Sequence, residues 1–328
     1  MKVKEFELRG LDGKRFACCT WLPADEPRAI LQIAHGMGEH KGRYTDLAEA
    51  LTSQGYAVYA SDHRGHAATI GNDNPGAMGK NGWRLTLTDM NYLAEHARRI
   101  HPGLATVLLG HSMGAALSQQ YLYLYGSHLS AVVLSGSPGF SAALQLSAMQ
   151  LFCRLESLRS GPDMASDLLQ GLLFGNNNKA FEDPGEPQDD ASEADNASGF
   201  EWLSKDVLQV KAYLDDPQCG FVLSPDSLAQ MFAGMRQSAE PKNVAAIKES
   251  LPVYVLAGAD DPVHNEEAGL IKLVEAYRTA GLDVDYKLYP EGRHEMFNET
   301  NRVEVVAQLL EWLEDALLKS AALERNQP

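Results

Sequence analysis

The 328-residue chain has few cysteines and no long apolar run. Four cysteines in a chain of this length are too few for a disulfide scaffold, and no Cys-x-x-Cys pair suggests a zinc site. No apolar run approaches the roughly 18 residues that a membrane-spanning helix needs. The residues from Met1 to Glu5 also do not lead into the apolar segment of a secretory signal. We therefore expect a cytoplasmic protein without structural disulfides.

Basic residues are also scarce. The chain carries 28 Lys and Arg against 44 Asp and Glu, which gives a formal net charge of −16. A nucleic-acid-binding protein needs a basic surface, so this balance argues against that class. It argues equally against simple electrostatic docking on an anionic membrane.

Short apolar segments alternate with helical patterns over the first part of the chain. Residues 3–22 read as a β-hairpin, because Asp12-Gly13 suits a tight turn between two alternating segments. Strands that are apolar on both faces and alternate with helices are typical of a parallel sheet covered on both sides. The predicted strands of this part are 29–34, 56–60, 105–109 and 129–134, and the helices are about 44–54, 85–100 and 113–124.

The alternation stops near Gly139 and resumes at Leu251. We expect residues 1–138 and 251–328 to form an α/β core, with strands at 251–256 and 284–289 and helices at about 266–280 and 301–322. Residues 139–250, called the insert below, are expected to form a helical cap. Within it, residues 176–199 are polar and rich in Pro and Gly, which favours a mobile loop. The acidic stretch 182–195 inside that loop is typical of a solvated surface.

The first part of the insert carries apolar residues at helical spacing over residues 143–159. Such a stripe fits either a core-facing helix or the lining of an acyl pocket, and the sequence favours neither. The residues of this stripe are Leu144, Ala148, Leu151, Phe152, Leu155 and Leu158.

A nucleophile motif follows the predicted strand that ends at Leu109. Gly110-His111-Ser112-Met113-Gly114 has the pattern G-x-S-x-G and opens a helix, which is the context that a nucleophile elbow requires. The flanking glycines let helix and strand approach closely, and Ser112 projects above the sheet. We therefore predict Ser112 as a catalytic nucleophile.

A serine nucleophile needs a base, because its free hydroxyl reacts poorly at neutral pH. In this architecture the order along the chain is Ser, acid, His. His294 follows the last predicted strand and is the expected base. The acid should follow the strand 251–256, where Asp260 and Asp261 are adjacent. We prefer Asp261, since the proline after it fixes the turn, and interpret Asp260 as a solvated or loop-stabilising carboxylate.

Two backbone amides are predicted to form an oxyanion hole. The Met113 N–H lies at the start of the helix after Ser112, and the Met37 N–H lies in the glycine loop after the strand 29–34. A glycine loop after a strand can also bind a dinucleotide. Here, however, the spacing of Gly36, Gly38 and Gly42 departs by one residue from the fingerprint, and the strand is not the first.

Several histidines surround these loops, but they do not have the spacing of metal ligands. We interpret them as hydrogen-bonded supports and predict neither a metal nor a cofactor. The four are His35, His40, His63 and His66.

Together these motifs resemble the α/β-hydrolase superfamily, and within it the branch of monoacylglycerol lipases and bacterial lysophospholipases. The similarity extends from about residue 3 to 318, and the acidic stretch 182–195 departs from it. The segments that carry it are His35–His40, Asp62–His66, Gly110–Gly114, Gly258–Val263 and Gly292–Glu295, with Trp202–Asp206 and Asp216–Phe221 in the insert.

The resemblance implies a mostly parallel eight-stranded sheet flanked by helices, with a helical cap after strand 6 and no cofactor. It implies a triad of Ser112, Asp261 and His294, with Met37 and Met113 as oxyanion donors. The expected reaction is hydrolysis of esters of single-chain lipids, either monoacylglycerols or lysophospholipids, through an acyl-enzyme. An aminopeptidase, a thioesterase and a non-catalytic ligand-binding protein of the same fold are the alternatives. Transient membrane contact through the cap and the oligomeric state are left open.

Overall fold

A computed structural model describes residues 1–181, 198–264 and 267–325 of the chain. The predicted acidic stretch 182–195, and most of the predicted loop 176–199, lie outside the described residues. The strands are β1 (Lys2–Arg9), β2 (Arg15–Leu22), β3 (Ala29–Ala34), β4 (Tyr56–Ser61), β5 (Ala105–His111), β6 (Ala131–Ser135), β7 (Pro252–Gly258) and β8 (Asp283–Tyr289).

The eight strands form one sheet in the order β1-β2-β4-β3-β5-β6-β7-β8. β2 pairs antiparallel with β1 and β4, and every pair from β4 to β8 is parallel. The predicted hairpin turn lies between β1 and β2, where Gly13 has a φ of +84° that suits glycine. This topology confirms the mostly parallel eight-stranded sheet that the resemblance implies.

Helices cover both faces of the sheet. Alternate residues of β5 show the division: Leu108 packs in the core on one face, and Val107 and Leu109 pack on the other. The core helices are α1 (Thr45–Ser53), α2 (Gly82–Ile100), α3 (Met113–Tyr125), α9 (Ala268–Thr279) and α10 (Arg302–Arg325). Helices α2, α3 and α9 cover the Leu108 face, and α1 and α10 cover the opposite one.

The described part of the insert carries helices between β6 and β7. These are α4 (Ala143–Ser160), α5 (Asp167–Phe174), α6 (Val207–Asp215), α7 (Pro225–Ser238) and α8 (Pro241–Val244). α4 packs along α7, and α7 also contacts α3 of the core. The division into core and cap remains a prediction.

The apolar stripe expected on α4 is not its buried face. Leu144 and Leu158 are 84% and 85% exposed, and Leu151 and Leu155 are more than half exposed. The face that packs inward instead carries Leu146, Met149, Cys153 and Glu156, again at helical spacing. Leucine occurs on both faces of α4, so composition alone could not identify the buried one.

No helix among the described residues combines the length and the apolar character needed to cross a membrane.

Candidate active site

Ser112 occupies a strained turn between β5 and α3. Its φ of +53° is unusual for a residue with a side chain. The turn is tight because a Cβ at Gly114 would overlap the carbonyl oxygen of Ala34, and a Cβ at Gly110 would overlap that of Gly114. The Ser112 N–H donates to the Ser135 carbonyl at 2.9 Å, which ties the turn to the end of β6. The sequence motif therefore has the backbone geometry of a nucleophile elbow.

His294 and Asp261 form a buried hydrogen-bonded pair. His294 Nδ1 lies 2.9 Å from Asp261 Oδ2, and each residue is 2% exposed. The other carboxylate oxygen, Oδ1, accepts from the Val263 N–H at 2.9 Å, which fixes the orientation of the carboxylate. Asp260 is exposed, and its N–H donates to the Gly292 carbonyl. The structure thus brings Asp261, rather than its neighbour, to His294.

Negative charge surrounds the His294 ring. Burial alone would lower its pKa, but the carboxylates of Asp261, Glu295 and Glu39 raise the pKa of His294 above its ordinary value. The same pairing with His294 lowers the pKa of Asp261 against the effect of burial. Near them, burial lowers the pKa of His111 to about 4, so this ring stays neutral beside His294. The arrangement stabilises an imidazolium at His294.

This environment predicts the acid limb of the pH profile. A base must be unprotonated to act, so activity should fall as pH decreases through the pKa of His294. Because that pKa is raised, we expect the midpoint of kcat/KM to lie above 6.5, the ordinary value for histidine. The measurement is kcat/KM against pH between about 5 and 9. A midpoint below 6.5 would contradict the electrostatic description.

The two predicted oxyanion donors lie at the same cavity as Ser112 and His294. Among the described residues, neither the Met37 N–H nor the Met113 N–H has a hydrogen-bond acceptor. The glycine loop lies directly against the nucleophile, since a Cβ at Gly36 would stand 3.3 Å from the Ser112 Cβ. Two unpaired amides beside a serine can receive an oxygen that becomes negatively charged.

The cavity has a volume of about 410 Å³, within the ordinary range for small-molecule sites. Most of its lining is apolar and comes from the insert, and Ser112 and His294 also line it. The insert residues include Leu146, Met149, Leu172, Phe174, Trp202, Val222, Met231, Phe232 and Met235. An apolar lining with a serine and a histidine in it suits an apolar ligand that carries a reactive polar group.

Sequence reasoning missed a contact between the insert and the His294 loop. The His294 and Glu295 N–H groups donate to the carbonyls of Trp202 and Leu203, at 3.3 and 2.8 Å. Arg293 donates to the Glu201 carbonyl at 2.7 Å. The Trp202 ring packs on the His294 ring, with centroids 5.0 Å apart. In the sequence, Trp202-Leu203 belongs only to a segment that carries the resemblance, and nothing in its local pattern indicates a contact with the His294 loop.

Three of the four histidines considered as metal ligands make hydrogen bonds through both ring nitrogens, whereas Nε2 of the fourth, His63, is buried without a hydrogen-bond partner among the described residues. His35 and His66 each use both ring nitrogens in hydrogen bonds to the backbone. Within the described ranges, the one group of three close potential ligands is His40, Asp216 and Cys219. His40 already accepts from the Gly42 N–H and contacts Asp216 at 2.8 Å, so both of its nitrogens are occupied.

The sequence is similar to known hydrolases over most of its length. A family model described as serine aminopeptidase, S33, matches residues 25–301. A monoacylglycerol lipase of Mycolicibacterium smegmatis is 31% identical over 319 residues, covering 94% of this chain and 96% of that protein.

Solved structures show the same similarity. A thermostable carboxyl esterase from Bacillus coagulans, in complex with glycerol, superposes with a TM-score of 0.83 at 25% identity, covering 97% of this chain and 99% of that one. A monoglyceride lipase of Saccharomyces cerevisiae, bound to a substrate analogue, has a TM-score of 0.72 at 19% identity, covering 96% and 97%. The second likeness concerns the fold alone.

Proposed function

The chain belongs to the α/β-hydrolase family whose model is described as serine aminopeptidase, S33, and from this premise we propose that Ser112, His294 and Asp261 form a catalytic triad. The protein is a carboxylic-ester hydrolase related to monoacylglycerol lipases. Its reaction is hydrolysis of a lipid ester, and the proposal concerns the residues, the intermediate and the substrate.

The observation that carries the proposal is the buried His294–Asp261 pair at the cavity of Ser112. The pair shares its pocket with a serine held in a strained turn and with two amides that have no acceptor in the part of the chain that the structure describes. A triad is recognised by such geometry and by the roles of its members.

The proposed reaction has two halves. Ser112 Oγ attacks the ester carbonyl as His294 Nε2 takes its proton, and the tetrahedral oxyanion accepts hydrogen bonds from the Met37 and Met113 N–H groups. His294 returns the proton to the alcohol oxygen as the ester C–O bond breaks, which leaves an acyl group on Ser112. Water then attacks the acyl-enzyme as His294 Nε2 takes its proton, and His294 returns that proton to Ser112 Oγ as the bond between the acyl carbon and Oγ breaks, which releases the acid. Asp261 keeps the imidazole in the required tautomer.

The substrate we propose is the ester of one medium or long acyl chain, either a monoacylglycerol or a lysophospholipid. The cavity supports this choice, because its apolar lining from the insert can bury a chain while the carbonyl remains at Ser112. A related protein named monoacylglycerol lipase, similar over almost its full length, supports it as well.

A chain-length series tests the substrate class. We expect kcat/KM for nitrophenyl esters to rise from acetate to a medium or long chain, since each additional buried CH₂ contributes about 0.8 kcal/mol, or about fourfold. The family description favours a second candidate, an aminopeptidase, so the series should include an aminoacyl nitroanilide. Preference for that amide would displace the lipid ester, whereas a flat ester series would contradict the role of the apolar cavity.

A further inference from the structure

The glycine loop after β3 presents three successive amides, and two of them are already anchored. The Gly36 N–H donates to Glu39 Oε1 at 2.5 Å, and the Gly38 N–H donates to His66 Nε2 at 3.3 Å. Only the Met37 N–H between them lacks an acceptor among the described residues. The loop therefore holds its outer amides in fixed directions and leaves the middle one available.

Glu39 is itself held from several sides. It is 3% exposed, its Oε1 also accepts from the Tyr44 hydroxyl at 2.8 Å, and its Oε2 accepts from Arg43 at 3.0 Å. Arg43 in turn donates two hydrogen bonds, of 2.6 and 2.7 Å, to Glu295. Buried charges are costly unless they are paired and hydrogen-bonded. Moving Glu39 or Arg43 out of this arrangement would leave a buried charge without its partner, so both side chains are held in place. The arrangement connects the glycine loop to the residue that follows His294.

His66 provides the second anchor. Its Nδ1 donates to the Arg64 carbonyl at 3.0 Å, which leaves the lone pair of Nε2 to accept from Gly38. The ring is fully buried, and burial lowers its pKa to about 4, so it remains an acceptor near neutral pH. The Phe221 ring packs on it with centroids 5.0 Å apart, and the Gly220 N–H donates to the Gly38 carbonyl.

We propose that Glu39 and His66 are positioning residues that direct the Met37 N–H towards the developing oxyanion. Resting on the proposed function, this inference adds two residues that act through the backbone amides. Accurate placement matters because a preorganised donor acts most strongly on the charge that appears in the transition state. Their loss should therefore lower kcat and leave KM nearly unchanged.

The test compares Glu39→Ala with Glu39→Gln at a pH where activity is maximal. Glu39→Ala removes the acceptor for the Gly36 N–H, and we expect kcat to fall by about 10²-fold, the lower end of the effect of losing an oxyanion donor. Glu39→Gln keeps an oxygen at that position and should restore most of kcat. Affinity for a trifluoromethyl ketone, which forms a tetrahedral adduct with the serine, should follow kcat across the series.

Glu156→Ala is the matched control for the loss of a buried carboxylate. Glu156 is 4% exposed and accepts from an arginine and a hydroxyl, as Glu39 does, but it lies in α4 outside the cavity lining. The Glu156→Ala variant should have a lower melting temperature and an unchanged kcat. If Glu39→Ala does not fold, Glu39→Asp is used instead, because its shorter carboxylate keeps the charge and withdraws from Gly36. His66→Ala, which removes the other anchor, should reproduce the loss of kcat.

The outcomes separate the two proposals. Failure of a fluorophosphonate to label Ser112 in the unmodified protein would overturn the proposed triad, and the positioning role with it. Labelling of Ser112 together with an unchanged kcat in the Glu39 and His66 variants would overturn the positioning role alone. Equal losses of kcat in Glu39→Ala and Glu39→Gln would also overturn it, because an acceptor for the Gly36 N–H would then make no difference to the rate.

Discussion

Replacement of Ser112 by alanine is expected to lower kcat by about 10⁴-fold or more, because the members of a triad act as a unit. Without the hydroxyl, no acyl group can be held, and the oxyanion donors and the apolar cavity supply only the residual rate. Folding should be unchanged, since alanine has the same Cβ at the unusual φ of +53°. The measurement is steady-state kcat on the best ester of the chain-length series, with the melting temperature of each protein beside it.

A fluorophosphonate probe provides the control for this variant. The unmodified protein should be labelled at Ser112, and Ser112→Ala should not be labelled. Retention of most activity by Ser112→Ala would refute the mechanism. A folded native protein that is neither labelled nor active on esters would favour the non-catalytic ligand-binding alternative.

Asp261→Asn is expected to reduce kcat by about 10⁴-fold, the effect known for loss of a triad carboxylate. The amide can occupy the same space, but it can donate to His294 Nδ1 and thereby favour the wrong tautomer. Asp261 also raises the pKa of His294, so its removal should move the acid limb of the pH profile downwards. The rate of the variant should be measured against pH, so that the fall in the maximal rate and the downward shift of the acid limb are seen separately.

Asp260→Asn is the natural control, because the adjacent carboxylate is exposed and makes no contact with His294 among the described residues. It should leave kcat and the pH profile unchanged. A large loss in Asp260→Asn with little effect of Asp261→Asn would exchange the roles of the two aspartates and contradict the geometry.

Much of the sheet could be predicted because its evidence is local. β3, β4 and β6 are short apolar segments between turns, and the Asp12-Gly13 turn specifies the hairpin of β1 and β2. The nucleophile turn is also local, since two glycines flank Ser112 within five residues. His294 and Asp261 could be placed because parallel strands end at the same edge of a sheet.

Contacts between distant segments could not be predicted in this way. Glu39 and Glu295 share Arg43 although 252 residues separate Arg43 from Glu295 along the chain. No periodicity or motif spacing reports such a pairing, although a charged residue inside a glycine loop could have drawn attention to Glu39. The buried face of α4 could not be identified for a similar reason. Both faces of this helix carry leucines, and the one that turns inward is set by its packing against α7 and the cavity.

The hydrogen bonds that the His294 and Glu295 N–H groups donate to the carbonyls of Trp202 and Leu203 bear on how this enzyme can be remodelled. Chimeras that exchange residues 139–250 for the corresponding segment of a relative would discard the partners of the His294 and Glu295 amides together with most of the apolar lining of the cavity. Specificity and turnover would then change at once, and a screen would confuse a poor fit with a misplaced base. Keeping residues 201–205 native while exchanging the helices before and after them separates the two traits.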